Sequence, residues 1–342
     1  MLKNYLKVAL RSLLRQKAYS FINIFGLAVG LACCILIFLF VQHEWSYDVF
    51  HQNAGTIFRV IQDEKNAGGA RALSAYQPLP LAPALQTEFP AIARAVRFIT
   101  SGNVIVKYGD ASFSENVLFA DAPMFEMFTF PLLQGNPATA LQNPNAIVLS
   151  EKMAQKYFND AAPLGQRLAL NFGNQFEDFV VTGVAQNTPD NSSIRFDFVL
   201  PYLKYPAYES ALKRWNSNRT STFIQLADKH EAIALEKQFP HFVEKYFGAL
   251  IQAAQSDGQL SKDADAFQLR LQPLADVHLN PNFANSIEMV SNPVYSYILA
   301  GIAVLVLLIA CCNFMILAVG RSTSRAKEVG VRKVVGAGRV QL

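Results

Sequence analysis

Residues 295–319 read YSYILAGIAVLVLLIACCNFMILAV, and RSTSRAKEVGVRKVVGAGRVQL follows at 321–342. No charged side chain lies between Glu288 and Arg321. A helix rising 1.5 Å per residue needs about 20 apolar residues to cross roughly 30 Å of hydrocarbon. This run is long enough to span with some tilt. A soluble core helix is rarely so apolar for so long. The segment beyond it holds six bases, Arg321, Arg325, Lys327, Arg332, Lys333 and Arg339, against the single acid Glu328. Residues 293–320 are therefore expected to be a transmembrane helix, with 321–342 on the cytoplasmic side.

The other end of the chain repeats the arrangement in reverse. FINIFGLAVGLACCILIFLFV, residues 21–41, sits in a stretch uncharged from Ala18 to Gln42. This places a second transmembrane helix over 18–43. Residues 1–17 carry Lys3, Lys7, Arg11, Arg15 and Lys17 and no acid. Leu2, Leu6, Ala9, Leu10, Leu13 and Leu14 recur at helical spacing, so 1–17 reads as a cytoplasmic amphipathic helix lying on membrane lipid. A secretory signal is the rival, but its apolar region is typically 7–15 residues and ends in small residues. Here the run ends in Gln42-His43-Glu44-Trp45.

Two spans put both termini on one side, and their basic flanks make that side the cytoplasm. Residues 44–292 then lie outside the cell membrane. Residues 18–320 hold 19 bases against 25 acids, so the charge is sorted by position. Bases beside apolar spans, rather than on a folded face, argue against nucleic-acid binding. Tyr19, Trp45, Tyr295 and Tyr297 suit the interfacial aromatic belt. Gly26 and Gly30 form a G-x-x-x-G pattern that lets a second helix approach closely, with Ala300, Gly301 and Ala303 as the facing surface. All four cysteines, Cys33, Cys34, Cys311 and Cys312, fall in the spans. The exterior domain therefore depends on its own hydrophobic core rather than on disulfides.

That domain alternates short apolar runs with turn residues. Strands are expected at 56–62, 116–120, 146–149, 166–170, 178–184, 195–200, 220–226 and 267–274. Arg97–Ile99 and Val104–Lys107 are expected to form a hairpin around Ser101-Gly102-Asn103. Helices are expected at 81–89 and 230–254, and Ser150 is a candidate N-cap. Strands and helices mixed without strict alternation predict the α+β class. The fold class is thus a membrane protein with two transmembrane α-helices flanking an α+β extracytoplasmic domain.

Catalytic signatures are missing from the sequence. It has no G-x-x-x-x-G-K-[ST], no H-E-x-x-H, no paired cysteine ligands and no G-x-S-x-G. His278 reads as a hydrogen-bonded loop residue rather than a ligand. Asn191-Ser192-Ser193 matches a glycosylation sequon, which matters only in a eukaryotic secretory route. The apolar runs 21–41 and 295–319 hold no Asp, Glu, Lys, Arg or His, so a conduction pathway or proton relay is not expected. No enzyme activity, metal or cofactor is assigned to this chain.

What remains is the basic tail. Ser322, Thr323 or Ser324 can cap a helix there, Gly336 and Gly338 can end it, and Glu328 precedes Arg332 by four residues. Val331, Val334 and Val335 can share a side. A lipid-binding patch explains the bases alone; a short helix offered to a protein explains the acid, glycine and valines too.

AKEVGVRKVVGAG resembles the R-x-K-E-I-G-I-R-K-x-x-G-A segment of MacB/FtsX-type ABC transporter permeases. Lys327, Glu328, Gly330, Arg332, Lys333, Gly336 and Ala337 match directly, and Val329 and Val331 replace isoleucine. SYDVFH at 46–51, FPAIARAVRF at 89–98 and VLSEKMAQKYF at 148–158 are similar to the extracytoplasmic domain of the same class. The resemblance implies a MacB-like periplasmic core domain at 44–292. It also implies a coupling helix, Lys327, Glu328, Val329, Gly330, Val331, Arg332 and Lys333, docking on a cytoplasmic ABC ATPase that holds the ATP and Mg²⁺. Further implied partners are a second permease copy or half and a periplasmic or outer-membrane adaptor. The implied location is the bacterial inner membrane, multi-pass. Two further spans are expected after 342, so the chain reads as the first part of a longer permease. The alternative reading is a two-span membrane sensor with an extracytoplasmic ligand-binding domain.

Overall fold

The computed structural model describes residues 17–159, 161–173, 175–283 and 289–336. The amphipathic segment before Lys17 and the tail from Ala337 lie outside the described residues. In chain order the elements are helix α1 (Lys17–Glu44), strands β1 (Ile57–Lys65), β2 (Arg71–Ser74) and β3 (Tyr76–Pro78), helix α2 (Leu81–Glu88), strands β4 (Ile92–Tyr108) and β5 (Ala111–Ala120), helix α3 (Met124–Met127), strands β6 (Leu132–Gln134) and β7 (Ala146–Ser150), helix α4 (Glu151–Phe158), strands β8 (Arg167–Asn171), β9 (Phe176–Ala185) and β10 (Phe198–Pro201), helix α5 (Tyr208–Ala211), strand β11 (Asn218–Leu226), helices α6 (Glu231–Glu236) and α7 (Phe239–Ser256), strand β12 (Phe267–Pro273) and helix α8 (Pro293–Val334). They divide into a helical unit of α1 and α8 and a domain from Ser46 to Asn292.

Ile24–Glu44 and Pro293–Ile316 are long and apolar enough to span a membrane. Leu36, Phe38, Ile309 and Ile316 are all more than half exposed. Water would penalise that surface, whereas lipid tails accept it. Small residues bring the two helices together. A Cβ on Gly30 would sit 3.2 Å from the Ala310 Cβ, and one on Gly26 would sit 3.3 Å from Asn313 Nδ2. Cys34 Sγ donates to the Ala303 carbonyl at 3.3 Å. Partner numbers fall as those of α1 rise, so the helices run antiparallel. The facing row is Ala303, Val306, Ala310 and Asn313, while Gly301 would meet nothing within 4 Å. Oxidation should cross-link Cys34 efficiently to an Ala303→Cys partner, and adding Gly30→Leu should cut the yield severalfold. An undiminished yield would show that the helices do not meet at Gly30.

The exterior domain is built on a twelve-stranded sheet with the order β12-β1-β11-β4-β5-β10-β7-β9-β6. Strand β2 adds to β1, β3 adds to β11, and β8 pairs with both β4 and β9. The β5–β10 and β7–β9 pairs are parallel and the others antiparallel. One apolar cluster joins α7, α2 and the β1–β11 side, a second joins α4 to β7–β10, and a third, around Phe98, Phe128 and Phe223, covers the opposite face of the sheet, since adjacent strand residues alternate between it and the other two.

Strand β4 replaces the hairpin expected at Ser101-Gly102-Asn103. Both flanking segments pair with the same neighbour, β5, and the register slips between Ser101 and Val104. Asn103 takes φ +59 there. The turn signal is a β-bulge, because a single long partner holds both halves in one ladder. The chain reverses instead after Tyr108, at Gly109, with φ +57. The helix expected at 230–254 is split into α6 and α7, since Pro240 sits in the first turn of α7. Proline lacks the N–H that a helix interior requires, but fits at a helix start. Ser150 does cap α4, its hydroxyl accepting from the Met153 N–H at 3.3 Å.

Arg97 anchors the middle of the sheet. Its Nε and Nη2 donate to the two Asp121 carboxylate oxygens at 2.8 and 2.7 Å. Nη1 donates to the Leu79 carbonyl at 3.0 Å, and the guanidinium lies 4.4 Å over the Tyr202 ring.

Candidate functional site

The tail residues singled out from the sequence lie on α8, which runs unbroken from Pro293 to Val334. No separate helix begins at Ser322, Thr323 or Ser324. A residue inside a helix finds the preceding turn already satisfying its N–H, so no cap is called for. At 42 residues, α8 is about 63 Å long. Gly336 ends it at φ +93, its N–H donating to the Lys333 carbonyl at 3.2 Å. The left-handed residue just past the last turn is a position glycine fills without strain.

Lys327, Glu328, Val329, Gly330, Val331, Arg332 and Lys333 thus fall on consecutive positions over the final turns of one rod. Val331, Val334 and Val335 are 62, 89 and 81 % exposed. A Cβ on Gly330 would meet nothing within 4 Å. These exposed valines give the end of the helix an apolar face. Among the described residues no cluster of His, Cys, Asp or Glu could hold a metal.

A second constellation lies in the exterior domain, where the chain arrives from α1 and departs toward α8. It was not singled out as a site from the sequence. The arriving segment is Ser46–His51 and the departing one Met289–Ser291. Between them sits loop Asn191–Ser193. The Asp48 N–H donates to the Asn191 carbonyl at 2.9 Å. Asn191 Nδ2 donates to the Ser46 carbonyl and hydroxyl at 2.9 and 3.0 Å. The Ser193 N–H donates to Asp48 Oδ1 at 3.0 Å, and its hydroxyl donates to Oδ2. On the other side, the Met289 N–H donates to the Ser193 carbonyl at 3.1 Å. A second bridge lies alongside. The Tyr47 ring stacks on His278 with centroids 3.3 Å apart, and His278 Nδ1 lies 2.9 Å from the Met289 carbonyl. His278 is a hydrogen-bonded loop residue, as its surroundings in sequence led us to expect.

Asp48, His51 and Ser193 are the residue types of a hydrolytic triad, yet their order excludes that chemistry. The carboxylate lies between serine and imidazole, with His51 Nε2 3.9 Å from Asp48 Oδ1. A nucleophile needs the imidazole beside its hydroxyl to take the proton. All three side chains are also buried, at 0 to 2 % exposure. His51 Nδ1 accepts from the Thr129 N–H at 3.0 Å, which puts the ring proton on Nε2. Burial among Phe50, Phe128 and Phe130 drives the His51 pKa down to about 4. The cluster is structural: a dry, hydrogen-bonded knot at φ +58 on Asp48. SYDVFH is a sequence signal for it; Asn191, Ser192 and Ser193, which complete it, read in sequence only as a glycosylation sequon.

Comparison with known proteins gives the context. The family model described as the MacB-like periplasmic core domain matches residues 20–241. No curated protein matches the chain. Among solved structures, a domain described as that of a permease protein from Porphyromonas gingivalis is 20 % identical, with a TM-score of 0.53 over 73 % of this chain and 98 % of that one. The periplasmic region of MacB from Actinobacillus actinomycetemcomitans is 17 % identical, with a TM-score of 0.41 over 65 % of this chain and 92 % of that one. The extracellular domain of the noncanonic ABC-type transporter YknZ from Gram-positive bacteria is 14 % identical, with a TM-score of 0.40 over 62 % and 98 %. At these identities the first likeness speaks to fold alone. The family match covers well over half of the sequence, and the chain belongs to the MacB-like periplasmic core domain family, a membrane protein of the MacB/FtsX permease type with an extracytoplasmic domain between two spanning helices.

Proposed function

We propose that this chain is the permease subunit of an ABC transporter, passing motion from a cytoplasmic ATPase to the exterior domain. The observation that carries the reading is α8, one uninterrupted rod that begins at Pro293, the residue after the exterior domain, and ends in an exposed valine face. A rigid helix transmits displacement along its length, and the apolar runs 21–41 and 295–319 hold no charged side chain to line a conduction path. In this reading both termini are cytoplasmic, and Lys327 to Lys333 dock on the ATPase, which alone holds ATP and Mg²⁺. Membrane lipid surrounds the helices. A second permease copy or half completes the transporter, and a periplasmic or outer-membrane adaptor receives the domain's movement during efflux, lipoprotein or peptide handling, or signalling.

Gly330 offers the test. Gly330→Pro removes a helical hydrogen bond and costs about 3 kcal/mol of local helix stability. Gly330→Ala meets open space and favours the helix by about 1 kcal/mol. The full chain should co-purify with an ABC ATPase. Proline should abolish the chain's effect on ATP hydrolysis while alanine preserves it, both proteins remaining in the membrane. Glu328→Arg should uncouple as well. Equal hydrolysis with proline and alanine would remove the docking assignment, and reporter fusions placing either terminus outside would remove the whole reading.

A further inference from the structure

The knot around Ser193 does more than fill a corner of the domain. Ser193 sits 145 residues from Asp48 in sequence, yet its N–H and hydroxyl hold the arriving segment while its carbonyl holds the departing one. The Tyr47–His278 stack repeats the connection through His278, whose Nδ1 lies 2.9 Å from the Met289 carbonyl. The loop itself is fixed. Arg195 Nε donates to the Ser192 carbonyl at 3.3 Å, Arg195 Nη2 donates to the Asp190 carbonyl, and the Ser192 hydroxyl donates to the Ile194 carbonyl at 2.8 Å. Ile194 and Phe196 then enter the central apolar cluster. Two residues further on, β10 begins, and it lies in the interior of the sheet between β5 and β7.

We propose that loop Asn191–Ser193 is a clamp that makes the arriving and departing segments move as one body, with Ser193 the positioning residue that delivers their displacement to β10. Two chain segments joined to two different helices would otherwise slide independently of each other. Hydrogen bonds to a buried carboxylate resist that sliding, because a separated Asp48 would be left with lost partners in a dry site. Asp48 also holds a left-handed backbone that a non-glycine residue keeps only where its surroundings over-determine it. The clamp deepens the permease reading, since the motion it would carry is the motion of the two spans.

The experiment measures the two segments directly. Spin labels are placed at Val49 and Val290, both exposed, in the full chain in lipid nanodiscs with its four native cysteines replaced by alanine. The parent should give one narrow distance distribution. Ser193→Ala should roughly double its width by freeing the segments locally, with the thermal midpoint and far-UV circular dichroism of the domain little changed. Ser193→Thr, which keeps the hydroxyl, should restore the narrow distribution. Asp48→Ala should widen it further, and should it fail to fold, Ser193→Ala alone decides. A narrow distribution in folded Ser193→Ala would overturn the clamp. The measurement needs no ATPase, so its failure leaves the permease reading standing, and absence of an ATPase partner would leave a widened distribution as support for the clamp.

Discussion

Replacing Arg97 by methionine is expected to destabilise the exterior domain by about 3 kcal/mol, toward the low end for breaking a buried ion pair. The guanidinium makes two bonds to Asp121, one to the Leu79 carbonyl and a face contact with Tyr202. The Asp121 side chain is 20 % exposed, so water relieves part of the loss. The Arg97 N–H also still donates to Asp121 Oδ2 at 2.8 Å in the variant. For a domain of this size, about 3 kcal/mol lowers the thermal midpoint by roughly 6–12 °C. Differential scanning of the full chain in detergent checks it. Arg97→Met combined with Asp121→Leu should recover most of the loss, because no charge is then left without its partner. A double variant no better than the single would mean that packing, rather than pairing, holds this part of the sheet.

The second large effect is on pH. Burial disfavours the imidazolium of His51 and holds its pKa at about 4, against an ordinary value of 6.5. The unfolded chain therefore binds a proton between those values while the folded chain does not. Stability is unaffected by this group above pH 6.5, falls as pH drops toward 4, and levels off below it. The whole fall amounts to about 3 kcal/mol. Protonation of Nδ1 would also oppose the Thr129 N–H that now donates to it. His51→Asn offers a carbonyl oxygen to that N–H and carries no titrating group. Thermal midpoints measured from pH 7.5 to 4.5 should decline more steeply in the parent than in His51→Asn. Parallel curves would show that His51 is not the group whose protonation loosens the knot.

Much of the architecture could be read in one dimension because it rests on local physics. The length of an uncharged run decides whether a helix can cross lipid, and 295–319 and 21–41 meet that condition without reference to any other residue. Alternation and β-branched content placed most strands, and the hydroxyl of Ser150 marked a helix start, since a cap depends only on the next three residues. The helix break at Pro240 follows from a missing N–H, which outweighs the apolar pattern running through 230–254. At Ser101-Gly102-Asn103 the same turn chemistry served a bulge rather than a hairpin, and only the pairing of both flanks with β5 distinguishes the two.

The two spans, the sorting of charge between the basic ends and the acidic middle of the chain, and the α+β character of the domain are all legible in one dimension. Each depends on residues within a few turns or a few alternations of one another. Only the folded chain shows that α8 continues into the tail without a cap, that Gly30 faces Ala310, and that Ser193 holds both Asp48 and Met289. Those are pairings between distant segments. A serine has the same side chain in a solvated loop as in a buried knot, and only the folded chain brings a carboxylate and a second backbone to either side of it.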